Sequence, residues 1–237
     1  AILLLALPVI RQASGQNDRG APTPRAADTS PYLIGAQMCP LWDSAKFWHP
    51  ITAYPDRKPL LGWYDEGSPE VTDWEIKFAL DHGISFFLVC WYRDKDNLGK
   101  RPIRALHERW LTQGFFNARF RHLFKFSLLW ENANDIACGV ASEEDLLNNL
   151  LPYWLETYFR HPSYLTFEGK PVLAVYDVSK FVTALGGEEQ AAAAVKRMES
   201  ACQAAGFRGL HILGQHCWGD PVAPVGQMRR IGLSHSF

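Results

Sequence analysis

Phe124-Lys125-Phe126-Ser127-Leu128-Leu129-Trp130-Glu131-Asn132-Ala133-Asn134 is an apolar run that stops at a carboxylate flanked by amide side chains, and its reading decides the fold. A run this short and apolar, bounded by polar residues, reads as a strand buried on both faces. Trp130, Glu131 and Asn132 then sit at its C-terminal end. In parallel α/β sheets that end is where ligands bind.

Working outward, Ile84 to Trp91 is a second buried strand, with Tyr92, Arg93 and Asp94 just past it. Upstream, residues 31–39 read as a first strand that carries Gln37 and runs into the loop 40–50, where Trp42 and Trp48 sit. Long aromatic loops are more often functional than merely connecting. Ser68-Pro69-Glu70 has the form of a helix start, with Gly83 as its stop. Residues 102–114 carry Ile103, Leu106, Trp110 and Leu111 on one side, which predicts an amphipathic helix. Downstream, Ser142-Glu143-Glu144-Asp145 resembles a capping box opening a long apolar helix that Pro152 should kink. Val172 to Tyr176 is another strand and ends at Asp177. An Ala-rich helix over 188–205 follows, then a strand over 210–214 ending at Gln215, His216 and Trp218. Residues 231–237 resemble the start of a sixth strand.

Five rounds of strand and helix imply right-handed crossovers and a parallel sheet. An open doubly wound sheet and part of a (β/α)8 barrel both accommodate that alternation. No Gly-rich phosphate loop follows a strand, which weakens the nucleotide-binding form of the first. Each unit takes about 40 residues, so a full barrel would need a longer chain, and the expectation is a fragment.

The 237 residues, 47% hydrophobic and 13% aromatic, suffice for one sizeable core. A formal net charge of -1 and the absence of a basic run argue against nucleic-acid partners. Five cysteines lack C-x-x-C spacing, so neither a zinc site nor a disulfide framework is indicated, and Cys90 reads as a small buried hydrophobe. Eight histidines show no His-x-His or H-E-x-x-H spacing, so no metal or other cofactor is expected. Residues 1–15 read as the remnant of a secretory signal, apolar through Ile10 and followed by Ala13-Ser14-Gly15. Residues 16–30 then form a disordered linker, and 31–237 the folded domain. The expected location is secreted or periplasmic, without a stable membrane span once the signal is removed.

Four segments, residues 61–71, 83–92, 126–134 and 161–176, together resemble the glycoside hydrolase family 99-like, WbsX-like group in order and spacing. The resemblance implies a (β/α)8 TIM-barrel, incomplete here at about five βα units, acting on a polysaccharide or glycan. It maps a sugar-contacting aromatic onto Trp91, a strand-end Glu onto Glu131, and a Tyr-Asp pair onto Tyr176 and Asp177. The group's paired catalytic carboxylates lie in a Glu-Trp-x-Glu-like motif that this sequence lacks, so the acid/base pair is expected to be missing. The implied activity is an endo-α-mannosidase-like glycoside hydrolase; a noncatalytic glycan-binding or assembly protein and a WbsX-like glycosyltransferase are the alternatives.

Glycoside cleavage needs two carboxylates roughly 5–10 Å apart, one held protonated. Glu131 and Asp177 follow different strands on one edge and are the candidates, against the plainer readings that Glu131 ties down loops and Asp177 caps a helix near Ser179. Trp91, Trp42 and Trp48 are candidate stacking platforms for sugar rings, and Trp130 is a further candidate substrate-binding residue at its strand end. Gln37, Asn132 and Gln215 supply the neutral donors and acceptors that hydroxyls require.

Overall fold

Six strands run parallel and in chain order across one sheet: β1 (Gly35–Met38), β2 (Phe86–Tyr92), β3 (Lys125–Glu131), β5 (Lys170–Val175), β6 (His211–Gly214) and β7 (His235–Ser236). The two-residue β4 (Thr166–Phe167) is antiparallel to β5 and turns the chain into it through Gly169. This computed structural model describes residues 20–24, 32–42, 45–133, 139–215 and 222–236. The expectations for residues 1–19, for the rest of the linker beyond 24, and for His216 and Trp218 lie outside the described residues.

Helical segments fill the crossovers. α1 (Ala45–Thr52) and α2 (Pro69–Asp81) lie between β1 and β2, and α2 begins at Pro69 behind Ser68, as its sequence predicts. Between β3 and β5 the chain is helical from α3 (Glu143–Asp145) through α4 (Leu151–Trp154) to Phe159. Ser142 accepts the Asp145 N–H as its N-cap. Wider π turns occupy Leu146–Leu150 and Leu155–Phe159. Pro152 has no N–H to give the ladder, and the change of helix type just before it absorbs that loss. α5 (Val178–Ala184) and α6 (Glu188–Ala204) precede β6, and α7 (Val222–Arg230) precedes β7.

The central strands β2, β3 and β5 are buried on both sides, so the alternation of their side chains separates two apolar groups. Val89, Trp91, Phe126, Leu128, Trp130, Leu173, Val175 and Ile212 pack with the helices. Leu88, Cys90, Tyr92, Leu129 and Ala174, with Tyr176 and Leu213 against them, make the opposite, inner face. The helix-side core is strongly aromatic: Trp154 meets Trp91 at 5.5 Å and Trp130 at 5.2 Å, both edge to face.

Two expectations are corrected. The helix predicted over 102–114 starts only near Arg109, with its π turn at Trp110–Gly114. Leu106 instead bridges back to Tyr92, its N–H donating to the Tyr92 carbonyl at 2.9 Å, and His107 adopts a positive φ of 53°. The apolar spacing there serves a loop folded over the end of β2, and Ile103 points to solvent. In the expected linker, Ala21 is buried in the helix-side core and its carbonyl accepts from the Arg119 guanidinium, so that this part of the stretch is docked.

Candidate functional site

The register of the sheet defines a row. Tyr92 is paired with Glu131 across β2 and β3. Leu129 pairs with Ala174, and Ala174 with Leu213, so two residues further on Glu131, Tyr176 and Gln215 fall level on the same inner face. Two backbone bonds extend the ladder to this level, from Tyr176 N–H to the Trp130 carbonyl at 3.0 Å and from Gln215 N–H to the Val175 carbonyl at 2.9 Å. A phenol, a carboxylate, a second phenol and an amide thus stand side by side at the C-terminal ends of four adjacent strands. In a parallel sheet that edge is where substrates are met.

Glu131 is 6% exposed. One of its oxygens, Oε1, accepts the Ala133 N–H at 3.0 Å, a tight turn that holds the carboxylate at the rim. The side-chain oxygen of Gln215 is buried and has no hydrogen-bond partner among the described residues. Burial raises the Tyr92 phenol above its ordinary range, with the neighbouring Cys90 and Cys39 adding to the effect, so it stands as a neutral donor and acceptor.

Loops from β1 and β2 close over this row. His107 sits edge-on to both Tyr92 (5.9 Å) and Phe47 of α1 (5.6 Å). Trp42 stacks on Trp48 at 4.1 Å, and Trp48 is fixed by donating its indole N–H to the Tyr64 carbonyl at 2.7 Å. The Glu66 carboxylate, fully buried, accepts the Trp42 N–H at 2.9 Å. Trp42 keeps part of its surface open.

The other predicted site residues divide. Trp91 and Trp130 point away from the row. Trp91 is 1% exposed and donates its indole N–H to the Tyr158 hydroxyl at 3.1 Å; Trp130 is fully buried between Trp154 and Phe181. Among the described residues neither ring is open to a ligand, against the expectation of Trp91 as a stacking platform and Trp130 as a substrate-binding residue. The inner-face aromatic of β2 is Tyr92, one residue further on. Asn132 and Asp177 bond each other reciprocally: the Asn132 amide donates to the Asp177 carbonyl at 2.9 Å and accepts the Asp177 N–H at 2.8 Å, tying the ends of β3 and β5 together. The Asp177 carboxylate is the N-cap of α5, accepting from Lys180 N–H at 2.9 Å and Ser179 Oγ at 2.7 Å. That is the plainer of its two readings, and it corrects Asp177 as a partner for Glu131 in acid/base work. Gln37, on β1, is exposed and donates to Cys90 Sγ at 3.4 Å, below the row rather than in it.

Arg93, which sequence reading passed over as a residue beyond a strand end, anchors the rim. Fully buried, it makes a two-pronged pair with Asp145 at 2.7 Å on both oxygens and also donates to the carbonyls of Lys100 and Gly139. Burial, the largest single influence, works against the Asp145 charge, but the Arg93 guanidinium, the Ala141 N–H and the Asn149 amide together outweigh it and bring the carboxyl down to about 2. The loops after β2 and β3 are thereby fastened to the start of α3. Among the described residues no group of three or more His, Cys, Asp or Glu side chains is placed to hold a metal.

A family model described as glycosyltransferase WbsX matches residues 52–230. None of the curated proteins matches. A solved structure of the GH99 endo-alpha-mannosidase from Bacteroides thetaiotaomicron is similar at a TM-score of 0.50 and 16% identity, over 76% of this chain and 46% of that one. A second, of the GH99 endo-alpha-mannosidase in complex with BIS-TRIS-propane, gives a TM-score of 0.47 at 16% identity, over 76% and 48%. This chain therefore spans about half the length of the solved structures it matches. The first likeness, with six parallel strands in chain order, identifies the fold as an incomplete (β/α)8 barrel of about five βα units.

Proposed function

The chain belongs to the WbsX family, GH99-like in fold, and from that premise we propose that it is an exported protein acting on a polysaccharide or glycan, as part of a glycoside hydrolase. The observation that carries the reading is the level row Tyr92, Glu131, Tyr176 and Gln215 at the ligand-binding edge. A sugar ring presents hydroxyls around an apolar ring face, and such a row offers phenol and amide groups for the hydroxyls and one carboxylate for charge development at an anomeric carbon. Hydrolysis needs a second carboxylate across the scissile bond. Among the described strand ends Asp177 is turned into a helix cap, so Glu131 is assigned one role of the pair, or the binding of a hydroxyl beside it. Export rests on the apolar start of the chain and its small-residue run at Ala13-Ser14-Gly15.

The family's description favours a second reading, transfer from an activated sugar donor. One assay separates the two. The full-length gene product is incubated with α-mannans, α-glucans and mixed plant glycans, and separately with nucleotide sugars plus acceptor, beside a Glu131→Gln variant. The hydrolase reading expects reducing ends from a glycan alone, reduced at least about 100-fold in the variant if Glu131 acts on the reacting bond. Product formed only with the nucleotide sugar would replace it with the transferase. Glycan binding without turnover would make the protein a noncatalytic binder.

A further inference from the structure

We propose that Cys39 and Cys90 form an oxidisable dithiol at the inner face of the sheet, which closes to a disulfide across β1 and β2. The two sulfurs are 2.9 Å apart. They lie one position beyond the registered pair Met38 and Val89, so they occupy level places on neighbouring parallel strands and point to the same side. Adjacent strands run about 4.8 Å apart, inside the Cα separation that a disulfide bridges. The pair sits one layer below the row that holds Tyr92 and Glu131, since Cys90 pairs with Leu129 two residues before Glu131.

The two thiols are unequal in the way a disulfide-forming pair requires. Cys39 is exposed and Cys90 is buried. The hydrogen bond with Cys90, outweighing the effect of burial, brings the Cys39 thiol down to about 6, and the same contact with burial pushes Cys90 up. Cys39 is thus the accessible nucleophile and Cys90 the sulfur held in reserve. The oxidant is a small-molecule disulfide such as glutathione disulfide. The Cys39 thiolate attacks one of its sulfurs, breaks the S–S bond and releases one glutathione thiolate. Cys90 then loses its proton, attacks the Cys39 sulfur and expels the second glutathione. The protein gives up two electrons, one glutathione disulfide becomes two thiols, and the protons end on those thiols. Cys202 provides an internal contrast, being fully buried in the helix-side core with its thiol pushed up to about 12 by burial.

The full 237-residue chain is equilibrated in glutathione buffers rich in the disulfide form, quenched in acid, denatured, alkylated with N-ethylmaleimide and digested without reductant for mass spectrometry. The expected result is a linked peptide joining Cys39 to Cys90, two fewer alkylated thiols, and Cys202 still alkylated. A chain carrying Cys138→Ser and Cys217→Ser should give the same link, and Cys39→Ser should leave Cys90 alkylatable. In the reduced protein, the rate of Cys39 alkylation should rise at a pH below the ordinary thiol range. Recovery of both cysteines as alkylated thiols after the oxidising buffer would overturn the proposal. So would Cys39 held on glutathione, Cys138 or Cys217 while Cys90 stays free.

Discussion

Trp91 and Tyr92 are neighbours in the chain and lie on opposite sides of the sheet, one sealed against Trp154 and Tyr158, the other level with Glu131. In a strand buried on both faces nothing polar marks which residues point inward, so the apolar run legible at Phe86–Tyr92 could not say which aromatic met a ligand. The partner strand could have helped: Glu131 is the carboxylate that ends the apolar run Leu128-Leu129-Trp130, and counting back from it by twos selects Leu129 and Ser127 as its face-mates. The separation is testable. Trp91→Phe removes the hydrogen bond to Tyr158 and part of a packed ring, and should cost about 1–2 kcal/mol in urea unfolding while leaving glycan affinity unchanged. Tyr92→Phe should do the reverse, and equal loss of affinity in both variants would count against the assignment of faces. A second residue-scale effect is acid-base. Glu75 accepts the Trp110 indole N–H at 2.6 Å, and burial, against which that bond works, raises its carboxyl to about 7. An unfolded Glu loses its proton near about pH 4.3, so between there and about 7 the folded state holds a proton that the unfolded state has released. Stability therefore falls as pH rises through that window. Glu75→Gln keeps an acceptor for Trp110 without a titrating group, so the variant should gain about 3–4 kcal/mol relative to the parent on going from about pH 4 to above 7. Parallel pH profiles for the two proteins would refute it.

At the scale of elements, the strands and most helices were legible because their signals are local: Ser68-Pro69 before α2, Ser142 before α3, and apolar runs ended by polar residues. The failure at 102–114 has a non-local cause. Spacing of Ile103, Leu106, Trp110 and Leu111 suits a helix, yet the first half of the stretch is drawn over β2 by the Leu106 bridge to Tyr92, and by Arg93 capturing the Lys100 carbonyl. A buried guanidinium whose partners come from Lys100, Gly139 and Asp145 has no sequence signature, since those residues are far apart in the chain. Asp145→Asn would leave the Arg93 charge buried without its counter-ion, at a cost of about 3–5 kcal/mol. Amide exchange should then quicken at Gly99 and Ala141, whose N–H groups donate to the Asp145 carboxylate in the parent. Because that carboxyl titrates only near about 2, the ion pair's contribution is whole at neutral pH and is lost as pH falls from the ordinary Asp range toward that value. A variant with parental stability and exchange would show that the rim loops are held by something else.

On the scale of the whole molecule, the consequence of a sheet rather than a closed barrel is that its outer strands have backbone groups to spare. Among the described residues β1 pairs only with β2, and β7 only with β6. Tyr32, Leu33 and Ile34 lead into β1 and are 76%, 62% and 53% exposed, so an apolar segment continues straight into an open edge. Unpaired strand edges of this kind recruit further strands, and covering apolar side chains contributes about 1.5–3 kcal/mol each. The alternation of strands and helices made the parallel order readable, and the same alternation leaves the edge open, because no strand among the described residues closes the sheet on itself. The 237-residue chain in isolation should therefore associate. Its weight-average sedimentation coefficient should climb across roughly 1–100 μM protein, the range in which exposed edges begin to aggregate. Substituting Leu33→Lys and Ile34→Lys places charge beside the edge without touching the row at the opposite ends of the strands, and should suppress that climb. A monodisperse monomer at the top of the range, melting cooperatively, would mean that the β1 edge is covered from within the chain.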